Sequence, residues 1–260
     1  MSPAAASTAV LVPEAKEGEF VFSAANADFQ QGWSGKAWYG KGTMTKNADG
    51  SFAYDASFTH AFRYRPEYKW IDFTVLDSRI LHDGGYKSWG LGLYKYMGPL
   101  FGNVHTVRTG LYTLPLKPLE KPLDDYLRLD SINYGVTLGY VRFSAEPPTR
   151  FSVWKKGESV QRCDRVSAGD TLVFELVLER PAEDVACRFE LSNGNAPVPV
   201  AVNGAASVEL KCLDDRGCRW GAELPVKAVA RTKNVPVAVV TTLGGDSRTI
   251  YTRFPGPLFK

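Results

Sequence analysis

The sequence predicts an all-β protein built as two β-sandwiches, and three observations support this. Short apolar and aromatic stretches alternate with turn-forming segments along most of the 260 residues. Gly (24 residues), Pro (16 residues) and aromatic side chains (12%) are all frequent, which favours many short strands joined by turns. No amphipathic stretch of helical period reaches about ten residues. The length accommodates one large domain or two ordinary ones.

Nine candidate strands precede residue 146, each with the alternation or the β-branched and aromatic content typical of strands. They cover Glu19–Ser23, Ala37–Thr45, Ser51–Phe58, His60–Arg65, Trp70–Asp77, Ser88–Tyr96, Val104–Leu114, Tyr126–Ile132 and Gly135–Phe143. Asn47–Gly50 lies between two of these runs and is typical of a hairpin connection. Residues 1–17 begin with small side chains, and we expect them to form a flexible N-terminal segment.

A boundary between the two domains is predicted at residues 147–157. Pro147 and Pro148 donate no ladder hydrogen bond, so they cannot continue a central strand. The composition changes there as well, because residues 1–157 hold five of the six Trp and at least ten of the twelve Tyr. The second part has candidate strands at Thr171–Glu179, Val185–Leu191, Val198–Val202, Ser207–Leu213, Arg219–Leu224, Lys227–Arg231, Val235–Thr242 and Arg248–Arg253. Seven or eight short strands in about 100 residues are typical of an immunoglobulin-like sandwich.

Composition and charge argue against several classes of protein. The formal net charge of +3 is too small for a general nucleic-acid binder. No stretch approaches the roughly 20 consecutive apolar residues of a membrane helix. The N-terminus has no basic region, and its apolar run at Ala9–Val12 is too short for a signal peptide. The sequence contains no Gly-x-Ser-x-Gly, P-loop or dinucleotide-binding fingerprint.

Strand alternation collects aromatic, basic and acidic side chains on one predicted sheet face. These side chains are Arg63, Tyr94, Tyr96, Arg108, Tyr112, Arg128 and Asp130. A pyranose offers an apolar C–H face to an aromatic ring and hydroxyl groups to arginine and carboxylate. Arginine also pairs with a uronate or a sulfate. The set therefore suits a sugar, and the equally weighted alternative is a solvated face on which Tyr and Arg side chains pack together.

Three segments of the first part follow a recognisable pattern. Gly32-Trp33 precedes a hairpin that ends at Asp49-Gly50-Ser51, residues 68–73 read YKWIDF, and the strand at 134–143 runs up to Pro147-Pro148. On these segments residues 18–146 resemble the jelly-roll carbohydrate-binding modules found beside secreted polysaccharide-degrading enzymes. Residues 158–260 look like the immunoglobulin-like modules that often follow them, although the Cys…Trp…Cys spacing of antibody domains is missing. The resemblance implies an antiparallel jelly-roll sandwich followed, after a linker at 147–157, by an immunoglobulin-like β-sandwich.

The resemblance implies a non-catalytic carbohydrate-binding or accessory protein of a secreted or cell-surface system, with its glycan on the first domain. The first alternative is a lyase acting on an acidic glycan. In that case His105, Tyr112, Arg108 and Arg63 would supply the base, the acid and the carboxylate clamp. His105 and Tyr112 fall on opposite faces of an unbroken strand, so the lyase also needs a bulge. The second alternative is a structural adhesion or assembly subunit whose aromatic face meets another protein.

No cofactor or catalytic metal is predicted. Jelly-roll modules often hold a structural Ca²⁺ through carboxylate and carbonyl oxygens, and the loop acids available for this are Asp77, Asp83, Asp124 and Asp125. His60, His82 and His105 are isolated in sequence, and no Cys-x-x-Cys motif is present, which argues against zinc.

All four cysteines, Cys163, Cys187, Cys212 and Cys218, lie in the second part. Cys212 and Cys218 bracket a turn-like segment, and they face each other if Leu213 and Gly217 close the hairpin. That geometry permits a disulfide. Disulfides form in oxidising compartments, so the even number of cysteines favours export, and four free cytosolic thiols are the alternative.

Overall fold

The chain folds into β-strands joined by turns. The structure, a computed structural model, describes residues 12–23, 34–39, 43–46, 52–55, 65–80, 91–95, 98–99, 107–116, 127–132, 134–158, 166–193, 196–227, 229–230, 235–254 and 258–259. Every regular element in these ranges is a strand. The prediction of an all-β protein is therefore confirmed.

The strands of the first half, up to residue 144, are β1 (Phe20–Ser23), β2 (Ser34–Tyr39), β3 (Thr43–Lys46), β4 (Phe52–Asp55), β5 (Trp70–Ile80), β6 (Leu91–Lys95), β7 (Gly98–Pro99), β8 (Gly110–Pro115), β9 (Leu127–Ile132) and β10 (Tyr134–Ser144). The strands of the second half, from residue 150, are β11 (Arg150–Lys155), β12 (Thr171–Val177), β13 (Asp184–Asn193), β14 (Ala196–Val200), β15 (Val208–Glu209), β16 (Lys211–Cys212), β17 (Arg219–Pro225), β18 (Val229–Ala230), β19 (Val235–Leu243), β20 (Asp246–Phe254) and β21 (Leu258–Phe259).

One large sheet runs through both halves in the order β1-β10-β5-β8-β20-β19-β13-β14, and β15 pairs with β13. Its pairs are antiparallel except β8 with β20, which is parallel. A second sheet has the order β11-β12-β17-β16, a third has the order β2-β9-β6-β7, and β3–β4 and β18–β21 are separate pairs. The sheets form a sandwich-like arrangement.

The second half has a core between the second sheet and the strands β13, β19 and β20. In β12, whose sequence is TLVFELV, burial alternates, and Leu172, Phe174 and Leu176 are the buried positions. Phe174 contacts Phe151 of β11, with ring centroids 5.8 Å apart, and Phe189 of β13 at 6.0 Å. The alternation in the sequence therefore fixes which side of β12 faces the core.

The first half buries a different face of the large sheet. Phe73 of β5 lies opposite Tyr112 of β8, and Ile71 lies opposite Leu114. All four side chains are at most 2% exposed. The same apolar face continues in β10 through Leu138, Val141 and Phe143.

The large sheet changes its buried face where β8 meets β20. Leu111 and Tyr112 are neighbours on β8, so their side chains lie on opposite faces of the sheet. Tyr112 lies on the sheet face that is buried in the first half; we call the residues packed there the first core. Leu111 pairs with Ile250 and packs against the core of the second half, which we call the second core. One strand therefore contributes to two cores on opposite sides of the same sheet.

Most predicted strands coincide with observed ones, but the predicted linker does not stay irregular. Residues 150–155 of the segment 147–157 form β11, in which Phe151 and Val153 are buried. β10 ends at Ser144, before the two prolines, and the sequence RFSVWK then begins a new strand at Arg150. The division of the chain into two domains that fold separately stays a prediction, since the large sheet joins the two halves.

The predicted register of the cysteine hairpin is wrong. Cys212 lies opposite Trp220, and Leu213 N–H donates to Arg219 O, so Cys212 and Cys218 are not cross-strand partners. Both cysteines carry free thiols, as does the buried Cys187, whose thiol pKa is raised by burial. The connection between β16 and β17 contains two residues more than the predicted hairpin allowed, which shifts the pairing. Cys163 lies outside the described residues.

A pH-dependent contribution to stability is expected from Asp170, at the start of β12. Its carboxylate accepts a hydrogen bond from Ser167 N–H at 2.8 Å and lies 2.9 Å from Lys155 Nζ. The Ser167 hydrogen bond and the Lys155 ammonium group lower the pKa of Asp170. A carboxylate with a lowered pKa contributes stability above its unfolded pKa of about 4, and this is lost as pH falls through the folded pKa.

We therefore expect Asp170→Asn to flatten the fall of the unfolding free energy below about pH 4. Chemical denaturation measured at several pH values tests this, with Asp215→Asn in an exposed turn as the control. A D170N profile that is parallel to the wild-type profile contradicts the assignment.

Candidate functional site

The seven residues predicted to bind a ligand do not form one sheet face. Arg63 and Tyr96 lie outside the described residues. Tyr94 lies opposite Arg128 in the third sheet, where Gly92 lies opposite Asp130. Arg108 and Tyr112 belong to the large sheet or to its immediate flank. No strand pairing in the described part of the chain joins these two sheets.

Tyr112 is buried, so the prediction that its ring lies on an exposed face is wrong. The side chain is 1% exposed. Its ring stacks on Phe73 at 5.0 Å between centroids and on Tyr251 at 4.7 Å. Its hydroxyl accepts a hydrogen bond from Arg108 N–H at 2.8 Å and donates one to Arg108 O at 3.0 Å. β8 buries Tyr112, Thr113 and Leu114 in succession, and alternation along a strand does not tell which face a second layer of structure covers.

Arg108 is paired within the protein. Its guanidinium makes a two-pronged salt bridge to the Glu190 carboxylate on β13, in which the Nη1–Oε1 distance is 3.4 Å. The guanidinium carbon also lies 4.4 Å from the centroid of the Tyr251 ring. Burial lowers the pKa of Arg108, but the hydrogen bonds and the charge of Glu190 outweigh this and raise it above its ordinary value. Arg108 is therefore held in place by two neighbours.

A groove lies between the two halves, on the sheet face opposite to Tyr112. We call this space the groove; it has a volume of about 640 Å³ and is lined by residues 74–76, 109–111, 140, 149, 178–181, 241, 243 and 246–250. One side is formed by β5 and β8, and the other by the connection after β12 and the β19–β20 hairpin. Its size is within the range of about 300–1,000 Å³ typical of ligand sites, which often occur between domains.

The groove combines apolar, hydroxyl and charged groups. Leu76 of the first half and Leu243 of the second both line the groove, and each is 42% exposed. The hydroxyl-bearing side chains of the lining are Thr74, Thr109, Tyr140, Thr149, Thr241, Ser247 and Thr249. The charged side chains are Glu179, Arg180, Asp246 and Arg248, so the two signs balance. A polar ligand with apolar patches matches such a lining.

Beneath the groove, Tyr140 is anchored by a buried ion pair. Arg142 donates from Nε and Nη2 to the Asp72 carboxylate, and the Nη2–Oδ2 distance is 2.7 Å. Tyr140 OH donates to Asp72 Oδ2 at 3.1 Å. Burial, followed by the charge of Asp72, raises the pKa of Tyr140. Burial also raises the pKa of Asp72, and the contacts from Arg142 limit this rise. The network orients the Tyr140 hydroxyl and keeps it protonated.

The outer wall of the groove, residues 178–181, is tied down by backbone hydrogen bonds. Leu178 N–H donates to Cys218 O at 2.8 Å, and Ala182 N–H donates to Gly217 O at 2.9 Å. Thr149 joins this wall to the sheet, because its carbonyl accepts from Thr113 Oγ1 and its hydroxyl accepts from Glu179 N–H. The wall is therefore held at both ends.

The groove could not be predicted from the sequence, because its lining comes from segments that are far apart in the chain. One signal for it was present. Gly110 lies inside the predicted strand Val104–Leu114, and an isolated glycine in a strand often marks a close approach of another backbone. Gly110 does lie against Thr249 and Tyr251, and Gly110 and Thr249 also line the groove.

The described residues provide no metal site with three or more His, Cys, Asp or Glu ligands. Of the loop acids named for calcium, Asp77 is exposed at its place in β5, and Asp83, Asp124 and Asp125 lie outside the described residues. His60, His82 and His105 lie outside them as well. In the described part of the chain, no helix has the length and apolar character needed to cross a membrane.

Comparison with known proteins gives no family. No protein-family model matches the sequence, and no curated protein matches it. The chain is similar to a solved DUF4785 family protein from Legionella pneumophila, with 10% identity over 92% of this chain and 64% of that chain and a TM-score of 0.26. It is also similar to a β-glucuronidase from Bacteroides uniformis, with 10% identity over 91% of this chain and 32% of that chain and a TM-score of 0.25. The chain thus spans less than two thirds of the length of either structure.

Proposed function

We propose that this is a non-catalytic glycan-binding or accessory protein of an exported or cell-surface system, and that its glycan lies in the groove between the two halves. The observation that supports this proposal is the lining of the groove. Hydroxyl groups and charged groups of both signs surround two exposed leucines. Sugar hydroxyls both donate and accept hydrogen bonds, and their C–H faces pack on apolar side chains.

The charges of the groove favour a neutral glycan over a polyuronate. Arg180 and Arg248 are balanced by Glu179 and Asp246, so the groove presents no excess positive charge to an anion. In the described part of the chain, neither arginine has an ion-pair partner, and we propose that their donors bind sugar hydroxyls. Hydrogen bonds from charged groups contribute about 1.5–3 kcal/mol each.

The alternative of a polyuronate lyase receives less support. Tyr112, one of the residues named for its acid–base chemistry, is buried with its hydroxyl bonded to the backbone of Arg108, and Arg108 itself is paired with Glu190. The alternative of an assembly subunit remains open to test, because Leu76 and Leu243 would also suit a protein partner.

We propose that the second half is an immunoglobulin-like sandwich. Such a fold places its first, second, fifth and fourth strands in one layer and its third, sixth and seventh in the other. If β11, β12, β13, β16, β17, β19 and β20 are counted as the seven strands, the observed orders β11-β12-β17-β16 and β13-β19-β20 match this arrangement. For the first half, the antiparallel series β1-β10-β5-β8 together with the sheet β2-β9-β6-β7 supports the proposal of a jelly-roll sandwich.

A glycan array with both neutral and uronate-containing chains tests the proposed function. We expect neutral chains to bind, and Arg248→Ala to weaken the best of them by about tenfold, the loss of one hydrogen bond from a charged donor. Arg188→Ala is the matched control, because Arg188 is an exposed arginine of β13 outside the groove. Titration calorimetry provides the affinities.

Three results would contradict this proposal. Equal losses in R248A and R188A would place the ligand elsewhere. Selective binding and cleavage of uronate chains, seen as release of unsaturated products, would favour the lyase. A blank array together with a stable oligomer in light scattering would favour the assembly subunit.

A further inference from the structure

We propose that Arg108, Glu190 and Tyr251 form a clamp that fixes the angle between the two halves and thereby the width of the groove. These are positioning residues, since they lie on the sheet face opposite to the groove and do not line it. The effect on a ligand rests on the proposed function, whereas the effect on the angle does not.

The connection that the clamp supports is short. In the large sheet, the strands of the first half meet those of the second half at β8 and β20. The ladder between them consists of Ile250 opposite Leu111 and Tyr251 opposite Tyr112. By contrast, β5 and β8 share six such positions, and β19 and β20 share nine. A two-position ladder gives little resistance to rotation, so the angle between the halves needs other contacts.

The clamp supplies these contacts across a wide part of the sheet. In the sheet order, β20 and β19 lie between β8 and β13, so the Arg108–Glu190 pair spans two intervening strands. The Arg108 side chain is 32% exposed and the Glu190 side chain 12%. A two-pronged salt bridge with one well-shielded partner has a defined geometry, which an exposed pair lacks.

Aromatic stacking connects the clamp to buried residues of the first half. The Tyr251 ring contacts both Arg108, whose guanidinium carbon lies 4.4 Å from its centroid, and Tyr112, at 4.7 Å between ring centroids. Tyr112 in turn stacks on Phe73 with an angle of 2° between the ring planes. The Tyr112 hydroxyl holds both backbone polar groups of Arg108, so the backbone from which the guanidinium extends is itself fixed.

The groove and the clamp share strands at the same level of the sheet. Thr249 and Ile250 line the groove, and the next residue, Tyr251, belongs to the clamp. On β8, Leu111 lines the groove, and the next residue, Tyr112, supports the clamp. Because neighbouring residues lie on opposite faces, a rotation at β8–β20 that opens one face closes the other. Loss of the clamp should therefore change the distance between Leu76 and Leu243 without altering any group of the groove.

Glu190→Gln in the full chain tests the clamp, because it keeps the shape of the side chain and removes its charge. Spin labels introduced as unnatural amino acids at the exposed positions 67 and 209, one in each half, report the distance between the halves and leave the native thiols unlabelled. We expect a broader distance distribution in E190Q and an affinity about fivefold lower for the best neutral glycan of the array. The exchange Arg108→Glu with Glu190→Arg should restore both.

Glu175→Gln is the matched control, since Glu175 pairs with Arg219 on the surface of the second sheet. Distances that stay as narrow in E190Q as in the wild type overturn the clamp, whatever happens to the affinity. Broader distances with unchanged affinity overturn its link to the groove. If the wild type binds no glycan, the proposed function fails, and the distance measurement still decides the clamp. Arg108→Lys, which keeps the charge and loses the planar fork, serves the same purpose if E190Q does not fold.

Discussion

Arg142→Met is expected to lower the free energy of unfolding by about 3–5 kcal/mol, the usual cost of removing one partner of a buried ion pair. Asp72 is 1% exposed, and Arg142 is 4% exposed. Methionine fills much of the space of the arginine stem, but among the described residues it leaves the Asp72 carboxylate with only the Tyr140 hydroxyl as a hydrogen-bond partner. Urea denaturation at pH 7 and at lower pH measures the effect.

The pH dependence of this variant has a definite sign. Without Arg142, burial raises the pKa of Asp72 further, so the folded variant binds a proton more readily than the unfolded chain. The stability deficit should therefore shrink as the pH is lowered. Asp72→Leu combined with Arg142→Met removes both charges, and we expect it to recover most of the loss.

Arg219→Met is the control for Arg142→Met. Arg219 is 53% exposed and pairs with Glu175, which is 25% exposed. Exposed pairs of this kind contribute about 0–1 kcal/mol. If R142M and R219M destabilise the protein equally, the Asp72–Arg142 pair does not act as a buried ion pair.

Gly110→Ala should lower the free energy of unfolding by about 3 kcal/mol, from backbone strain and from a steric clash. Gly110 has a φ of +147°. An added Cβ would lie 2.9 Å from Thr249 O and 2.9 Å from Tyr251 Cε2. The backbone oxygen cannot move without opening the β8–β20 ladder, so the cost includes displacement of the strand that joins the two halves.

Gly157→Ala separates the cost of backbone strain from the cost of the steric clash. Gly157 has a φ of +89°, and an added Cβ would have no atom within 4 Å, so this variant reports strain alone, about 1 kcal/mol. Both variants are compared by thermal and urea unfolding. Equal losses in G110A and G157A would show that the close approach of β20 to β8 is not a constraint on the fold.

Local patterns predicted the strands and their alternation well. The sequence TLVFELV alternates strictly, and β12 buries every second residue, whereas in β5 residues 70–73 are all buried, the polar Asp72 among them. The alternation of β12 is visible in a single sequence because this strand buries one face against a layer that is present along its whole length. The prolines at 147 and 148 correctly indicated that β10 does not continue past this point. They also led to the prediction of a linker at 147–157, where β11 in fact begins at Arg150.

The candidate site could not be predicted to the same extent. The pattern placed Arg108 and Tyr112 together, and they are in contact through the Tyr112 hydroxyl. It did not reveal that Tyr251, more than a hundred residues later, covers Tyr112. Nor did it bring Leu76 and Leu243 to one groove, since pairing partners across a sheet are not encoded in the spacing of either strand.

The sequence by itself determined the class of fold, the positions of most strands and the two faces of each strand, because these depend on residues close together in the chain. Only the tertiary structure decided which face is buried, which strands are neighbours and where the groove lies. β8 shows the physical reason: Leu111 and Tyr112 are both apolar enough for a core, and each enters a different one. The choice depends on the parallel pairing of β8 with β20, a contact between distant segments that forms only when both halves are folded.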